Sequence, residues 1–127
     1  MSYPVANNLR ECIERLVDRA HDASLVAGWW DNADVKTNPY VVPAKLMLMV
    51  SELAEAMEGD RKDLMDDKLP HRKMIEVELA DALLRIADLA GKLQLDLGGA
   101  VVEKLQFNED RPDHKKENRA RENGKSY

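Results

Sequence analysis

Residues Lys45 to Gly59 read KLMLMVSELAEAMEG and set two carboxylates, Glu52 and Glu55, into an otherwise apolar helix. At roughly 100° per residue the two lie about 60° apart on the helix surface. Leu48, Met49 and Ala56 flank them, while Met47, Val50, Ala54 and Met57 form a second apolar face behind. A helix that is apolar on two sides is buried on two sides. Ionised carboxylates leave water only when they are paired or hold a metal, because their desolvation otherwise costs many kcal/mol. The stretch therefore asks for a cation.

A second acidic pair lies further along, in HRKMIEVELADALLRIADLAGKL, where Glu78 and Asp81 repeat the i, i+3 spacing. Each pair shares a helix face. If the two helices pack antiparallel, four carboxylates meet in the groove between them and offer many oxygens to a hard ion such as Mg²⁺. The pattern ELAE, 22 intervening residues and ELAD resembles the ExxE and ExxD signature of the all-α nucleoside triphosphate pyrophosphohydrolases, the MazG-like and dCTP-pyrophosphatase-like proteins. The similarity runs from Gly28 and Trp29 to the terminal GKSY.

The resemblance implies a four-helix MazG-like bundle completed by homo-oligomerisation, as a homodimer or homotetramer. It implies Mg²⁺, with Mn²⁺ as a substitute, held by Glu52, Glu55, Glu78 and Asp81. The implied reaction is hydrolysis of a nucleoside or deoxynucleoside triphosphate between the α and β phosphates, giving the monophosphate and pyrophosphate. Glu55 and Glu52 are the implied catalytic carboxylates, and which of the carboxylates acts as general base stays open. The segment KLQFNEDRPDHK looks like the family's K, N, R segment through Lys104, Asn108 and Arg111, which would bind the phosphates. The sequence departs from the common ending, because ENRARE separates His114 and Lys115 from Gly124 and Lys125. The roles of His114, Arg119 and Lys125 are therefore open.

The rest of the composition fits an all-α chain. Its 127 residues are within the size of one domain. Hydrophobic residues make up 44% and charged residues 34%, with only five prolines and six glycines, a mixture that favours helices. The net charge of −5 is unevenly spread: residues 1–103 carry 12 basic and 19 acidic side chains, and residues 104–127 carry 7 and 5. An acidic protein is a poor general binder of nucleic-acid phosphates, so no nucleic-acid polymer is expected as a partner. The basic end better suits a small anion or the acidic site itself. The expected division is an all-α domain over residues 1–110 and a basic C-terminal tail over 111–127 that contributes to the site. Cys12 is the sole cysteine, which excludes an intramolecular disulfide. No signal peptide or membrane-length apolar run is present, so a cytoplasmic protein with no membrane partner is expected.

Taken in order, Leu9, Ile13, Leu16, Val17 and Ala20 predict an amphipathic first helix over 5–27 that stops at Gly28. Asn38, Pro39 and Pro43 break the following segment into a loop. The acidic helix follows and ends at Gly59 and Asp60. After a polar connector with room for one helical turn, the third helix is expected from Pro70 to about Lys92. Asp96 is placed to cap a fourth helix from Leu97 to about Glu109. From Pro112 onward no hydrophobic periodicity remains, which predicts a tail ordered only by a partner or ligand.

Plainer readings stand beside these. Glu78 and Asp81 share a stripe with Arg85, Asp88 and Lys92, and Asp81–Arg85 and Asp88–Lys92 are acid-first i, i+4 pairs of a kind common on solvated helices. Trp29 and Trp30 are placed either to stack on a nucleobase or to anchor their loop in the core, and one of each is expected. Cys12 and His21 receive no role. Without an enzyme activity, the chain would be a helical interaction module with acidic stripes and a basic docking tail.

Overall fold

The computed structural model describes residues 1–121, 123 and 124, and among these the protein is all-helical with no strand. The helices are α1 (Tyr3–Val26), α2 (Val41–Arg61), α3 (Met74–Lys92), α4 (Leu97–Asp110) and the one-turn α5 (Lys116–Arg119), with a 3₁₀ turn at Pro112–His114. The chain divides into two compact units. Arg15–Leu95 forms the larger, and Met1–Glu14 with Asp96–Tyr127 forms the other.

In the larger unit, α1 ends where Gly28 takes up a left-handed conformation with φ of 80°. The Trp29 N–H donates to Ser24 O at 3.1 Å and the Gly28 N–H to Leu25 O at 3.1 Å. This pair of bonds is the Schellman arrangement, which a glycine adopts without a Cβ penalty. The loop after it delivers Trp30 into a small core with Val41, Met49 and Leu89, packed round by Ala33, Val35, Val42 and Leu93.

The α2 helix starts at Val41, so Pro43 falls in the first turn, where a missing N–H costs no helical bond. It also runs through Gly59, which was expected to end it, as far as Arg61. Gly59 serves packing instead. A Cβ there would lie 2.8 Å from Met74 Cβ, so its absence lets the end of α2 lie against the start of α3. Further back along α2, Glu52 meets Arg85, and the two pairings together show that α2 and α3 run antiparallel.

The third helix begins at Met74 rather than Pro70. Residues before it are committed to a bridged loop: Met65 and Lys73 form an isolated antiparallel bridge, and the buried Asp66 carboxylate accepts the N–H groups of Lys68 and Leu69 at 3.0 and 2.7 Å. These bonds hold the connector in bends and turns, so the helical turn for which it had room is not made.

The core is built on small residues, with Ala20, Ala56, Ala82, Ala87 and Ala90 all buried. Among the described residues no large side chain is fully buried. Many apolar side chains of α2 and α3 face outward, including Met47 at 62% exposure, Met57 at 60% and Leu53 at 50%. The two-sided apolar character of α2 read from its sequence is thus only half used within the chain.

In the other unit, Asp96 caps α4 by accepting the Gly99 N–H at 2.9 Å and pairs with Arg10 at 2.8 Å. Gly98 lies so close to α1 that a Cβ would come within 2.9 Å of the Arg10 carbonyl oxygen. The segment after α4 is more regular than expected. The Arg111 side chain bonds Asp113, and the Asn118 amide donates to the Pro112 carbonyl at 2.5 Å. These local contacts turn the chain through the 3₁₀ segment and α5 without any apolar periodicity. Lys125 lies outside the described residues.

Candidate metal centre and its cleft

Antiparallel packing of α2 and α3 brings Glu52, Glu55 and Glu78 together, with one carboxylate oxygen of each within 4.8 Å of the others. Both acidic pairs contribute. Glu52 and Glu55 come from successive turns of α2, and Glu78 enters from α3. Glu52 is buried, Glu55 is exposed, and Glu78 and Asp81 are half-buried. The set is graded from a closed floor to an open rim. Asp81, expected as the fourth ligand, lies one turn beyond Glu78 and feels the Glu52 charge, but it is not one of the three that converge.

The protons follow this crowding. Burial, a hydrogen bond to Glu52 and the charge of Glu55 push the Glu78 carboxyl up to about 7. Burial and the Glu52 charge raise Asp81 as well. Burial would also raise Glu52, but the hydrogen bond from Arg85, with those involving Glu78 and Glu55, holds it below its ordinary value. One carboxylate of the cluster thus stays ionised while a neighbour keeps its proton near neutrality, the usual outcome when like charges share a site. Oxygen-only ligands crowded in this way suit a hard divalent cation such as Mg²⁺.

Glu52 of the cluster lines a cleft of about 410 Å³, together with Trp29, Lys45, Asp81, Arg85, Asp88 and apolar side chains. Its lining contains two features that the sequence did not disclose. Arg85 Nε donates to Glu52 Oε1 at 2.6 Å, a pairing across helices rather than the i, i+4 pairing with Asp81 expected along α3. Asp88 accepts three hydrogen bonds of 2.8 Å, from His21 Nδ1, Ser24 Oγ and Trp30 Nε1. His21, given no role from sequence, therefore helps to fix the helix that carries the acids. Their only sequence signal was the charged stripe of α3, which is equally common on solvated helices.

The two adjacent tryptophans have opposite surroundings. Trp30 is 6% exposed and Trp29 is 70% exposed. Lys45 Nζ lies 4.4 Å from the Trp30 ring centroid and Lys92 Nζ 5.3 Å from it. Lys45 also donates to the Trp29 carbonyl at 3.3 Å. These contacts hold a lysine in the cleft lining, two turns before Glu52 on the same face of α2.

Lys104, Asn108 and Arg111 belong to the other unit. Lys104 Nζ lies 4.7 Å from the Phe107 ring centroid, and Arg111 pairs with Asp113. The Asn108 Oδ1 atom is enclosed with no hydrogen-bond partner among the described residues.

Together the fold and the site define, among the described residues, an all-helical protein with a carboxylate cluster that reaches a cleft through Glu52. No family model matches the chain, and neither a curated protein nor a solved structure does.

Proposed function

We propose that the protein is a Mg²⁺-dependent nucleoside triphosphate pyrophosphohydrolase of the MazG-like kind, cleaving between the α and β phosphates. The observation that carries this reading is the meeting of Glu52, Glu55 and Glu78 within 4.8 Å beside a cleft walled by Lys45 and Arg85. Acid and base side by side in one cleft suit a ligand that arrives as an anion with its cation. Mg²⁺, when bound, supplies charge neutralisation for the triphosphate and an acidified water for in-line attack at the α phosphorus.

In this reading Glu52, Glu55 and Glu78 would hold the cation and Asp81 would support it from the next turn. Glu55, at the exposed rim, meets incoming water and accepts its proton. Trp29 offers a free aromatic face for a nucleobase, whereas Trp30 holds the loop from within. Lys104, Asn108 and Arg111 are assigned to the phosphates, a role for which the guanidinium's fixed donor fork suits Arg111.

The exposed apolar rows of α2 and α3 are assigned to further copies of the chain, in a homodimer or homotetramer that completes a four-helix bundle around each site. Among the described residues no helix is long and apolar enough to cross a membrane. A reducing, nucleotide-rich cytoplasm suits a chain whose sole cysteine, Cys12, is an exposed free thiol.

The test is a panel of nucleoside and deoxynucleoside triphosphates incubated with Mg²⁺ in ¹⁸O-labelled water. The expected products are labelled monophosphate and unlabelled pyrophosphate. Release of inorganic phosphate and a diphosphate would overturn the reading in favour of a hydrolase that attacks the γ phosphorus, and no turnover of any nucleotide would leave the interaction module in its place.

A further inference from the structure

We infer that Arg85 and a divalent cation compete for Glu52, so that cation binding exchanges the guanidinium out of the carboxylate cluster and releases it into the cleft. The inference rests on the cation site proposed above and adds a control to it. Glu52 is the buried member of the cluster, and Arg85 already engages it through a charge-assisted hydrogen bond of 2.6 Å. A carboxylate has two oxygens. Glu52 gives Oε1 to Arg85 at 2.6 Å, and Glu55 and Glu78 crowd it with an oxygen each within 4.8 Å, so a cation seated among the three carboxylates arrives directly beside the guanidinium.

The three other groups at Glu52 do not respond alike. Glu55 and Glu78 gain from a cation, because it cancels their mutual repulsion. Arg85 loses, because a positive charge arrives beside it where burial weakens solvent screening. The Arg85 side chain is 40% exposed, against 9% for Glu52, so the arginine has the freedom to leave while the carboxylate stays. Its stem lies on the cleft wall with Lys45. The released guanidinium therefore remains in the cleft, where its donors face an anionic ligand in place of Glu52. Cation first and anion second is the order this arrangement imposes.

The experiment measures Mn²⁺ binding by calorimetry on the wild type and on Arg85→Met, which keeps the apolar stem and removes the charge. Loss of a competing charge-assisted bond should make Mn²⁺ bind roughly tenfold more tightly to the variant. In parallel, the Arg85 Nε–H resonance of the wild type, assigned by its loss in Arg85→Lys, is followed by ¹H–¹⁵N spectroscopy as diamagnetic Mg²⁺ is added. It should shift as the bond to Glu52 is given up. An equal or weaker Mn²⁺ affinity in the variant overturns the exchange, because loss of a competing positive charge must tighten cation binding. A resonance that stays in place while Mg²⁺ saturates the wild type does the same. If neither protein binds either ion, the cation site itself is wrong, and the exchange falls with it.

Discussion

Trp30 of the first loop donates its indole N–H to Asp88 of α3 at 2.8 Å, and this bond fixes the loop to the helix that carries Glu78 and Asp81. His21 and Ser24 of α1 donate to the same carboxylate. One acidic side chain therefore ties α1, the first loop and α3 together at the cleft.

Replacing that acceptor should be costly. Asp88→Asn keeps the shape but offers one oxygen and an amide group to three donors, leaving at least one half-buried donor unpaired at about 1–3 kcal/mol. The expected result is a melting temperature lower by roughly 5–10 °C. Trp30→Phe, which removes one donor and leaves the carboxylate two others, should cost less through this bond. A thermal scan showing Asp88→Asn as stable as the wild type would mean that the three bonds do not hold the loop.

The raised proton affinity of Glu78 gives stability an unusual pH dependence. Its folded-state value of about 7 exceeds the ordinary 4.5, so the folded protein binds more protons than the unfolded chain between these values. Its contribution is full below 4.5 and is lost as pH rises through 7. Glu52 has the opposite sign, because its lowered value gives stability above 4.5 that is lost as the medium becomes more acidic. Glu78→Gln should therefore gain on the wild type in melting temperature between pH 5 and pH 8, on the order of the window set by these values. A constant difference across that range would refute the assignment.

A cation that binds the folded cluster alone stabilises it by mass action, by about 2.7 kcal/mol at a hundredfold excess over its dissociation constant. Mg²⁺ should thus raise the melting temperature and a chelator should reverse the shift. Glu55→Gln should lose the shift and all turnover, yet melt close to the wild type without Mg²⁺, because Glu55 is exposed. An undiminished Mg²⁺ shift in this variant would place the ion elsewhere.

The apolar row of α2 bears on assembly. Leu53 and Met57 are one turn apart, and each is at least half exposed. Light scattering should find a dimer or tetramer at micromolar concentration, and Leu53→Lys should shift it toward the 14.4 kDa monomer. A well-folded wild-type monomer with the same melting temperature as Leu53→Lys would remove the case for self-association.

Much of the helical plan was legible in the sequence because it depends on neighbours along the chain. The periodicity of Leu9, Ile13, Leu16 and Val17, the stop at Gly28 and the cap at Asp96 are all local, and each is found in the structure. The start of α3 was misread because the bonds that hold Met65 against Lys73 and Asp66 over Leu69 give no periodic signal. The meeting of the two acidic pairs could be anticipated from their matched spacing. The partners of Arg85 and Asp88 could not, since each has an eligible ion-pair partner on its own helix and tertiary packing alone decides against it. Two neighbouring tryptophans likewise carry no mark of which one enters the core.

That last difference gives the protein a built-in optical gauge. Trp30 is shielded, hydrogen-bonded and flanked by two ammonium groups, while Trp29 stands in solvent at the cleft mouth. Their emission should separate into a blue, quencher-resistant component and a red, quencher-accessible one. Selective loss of iodide quenching from the red component would report an occupied cleft, whereas a red shift of the blue component would report an opening of the loop behind it. Occupancy and integrity are thus readable from one unlabelled sample, with Trp29→Phe and Trp30→Phe to assign the two signals.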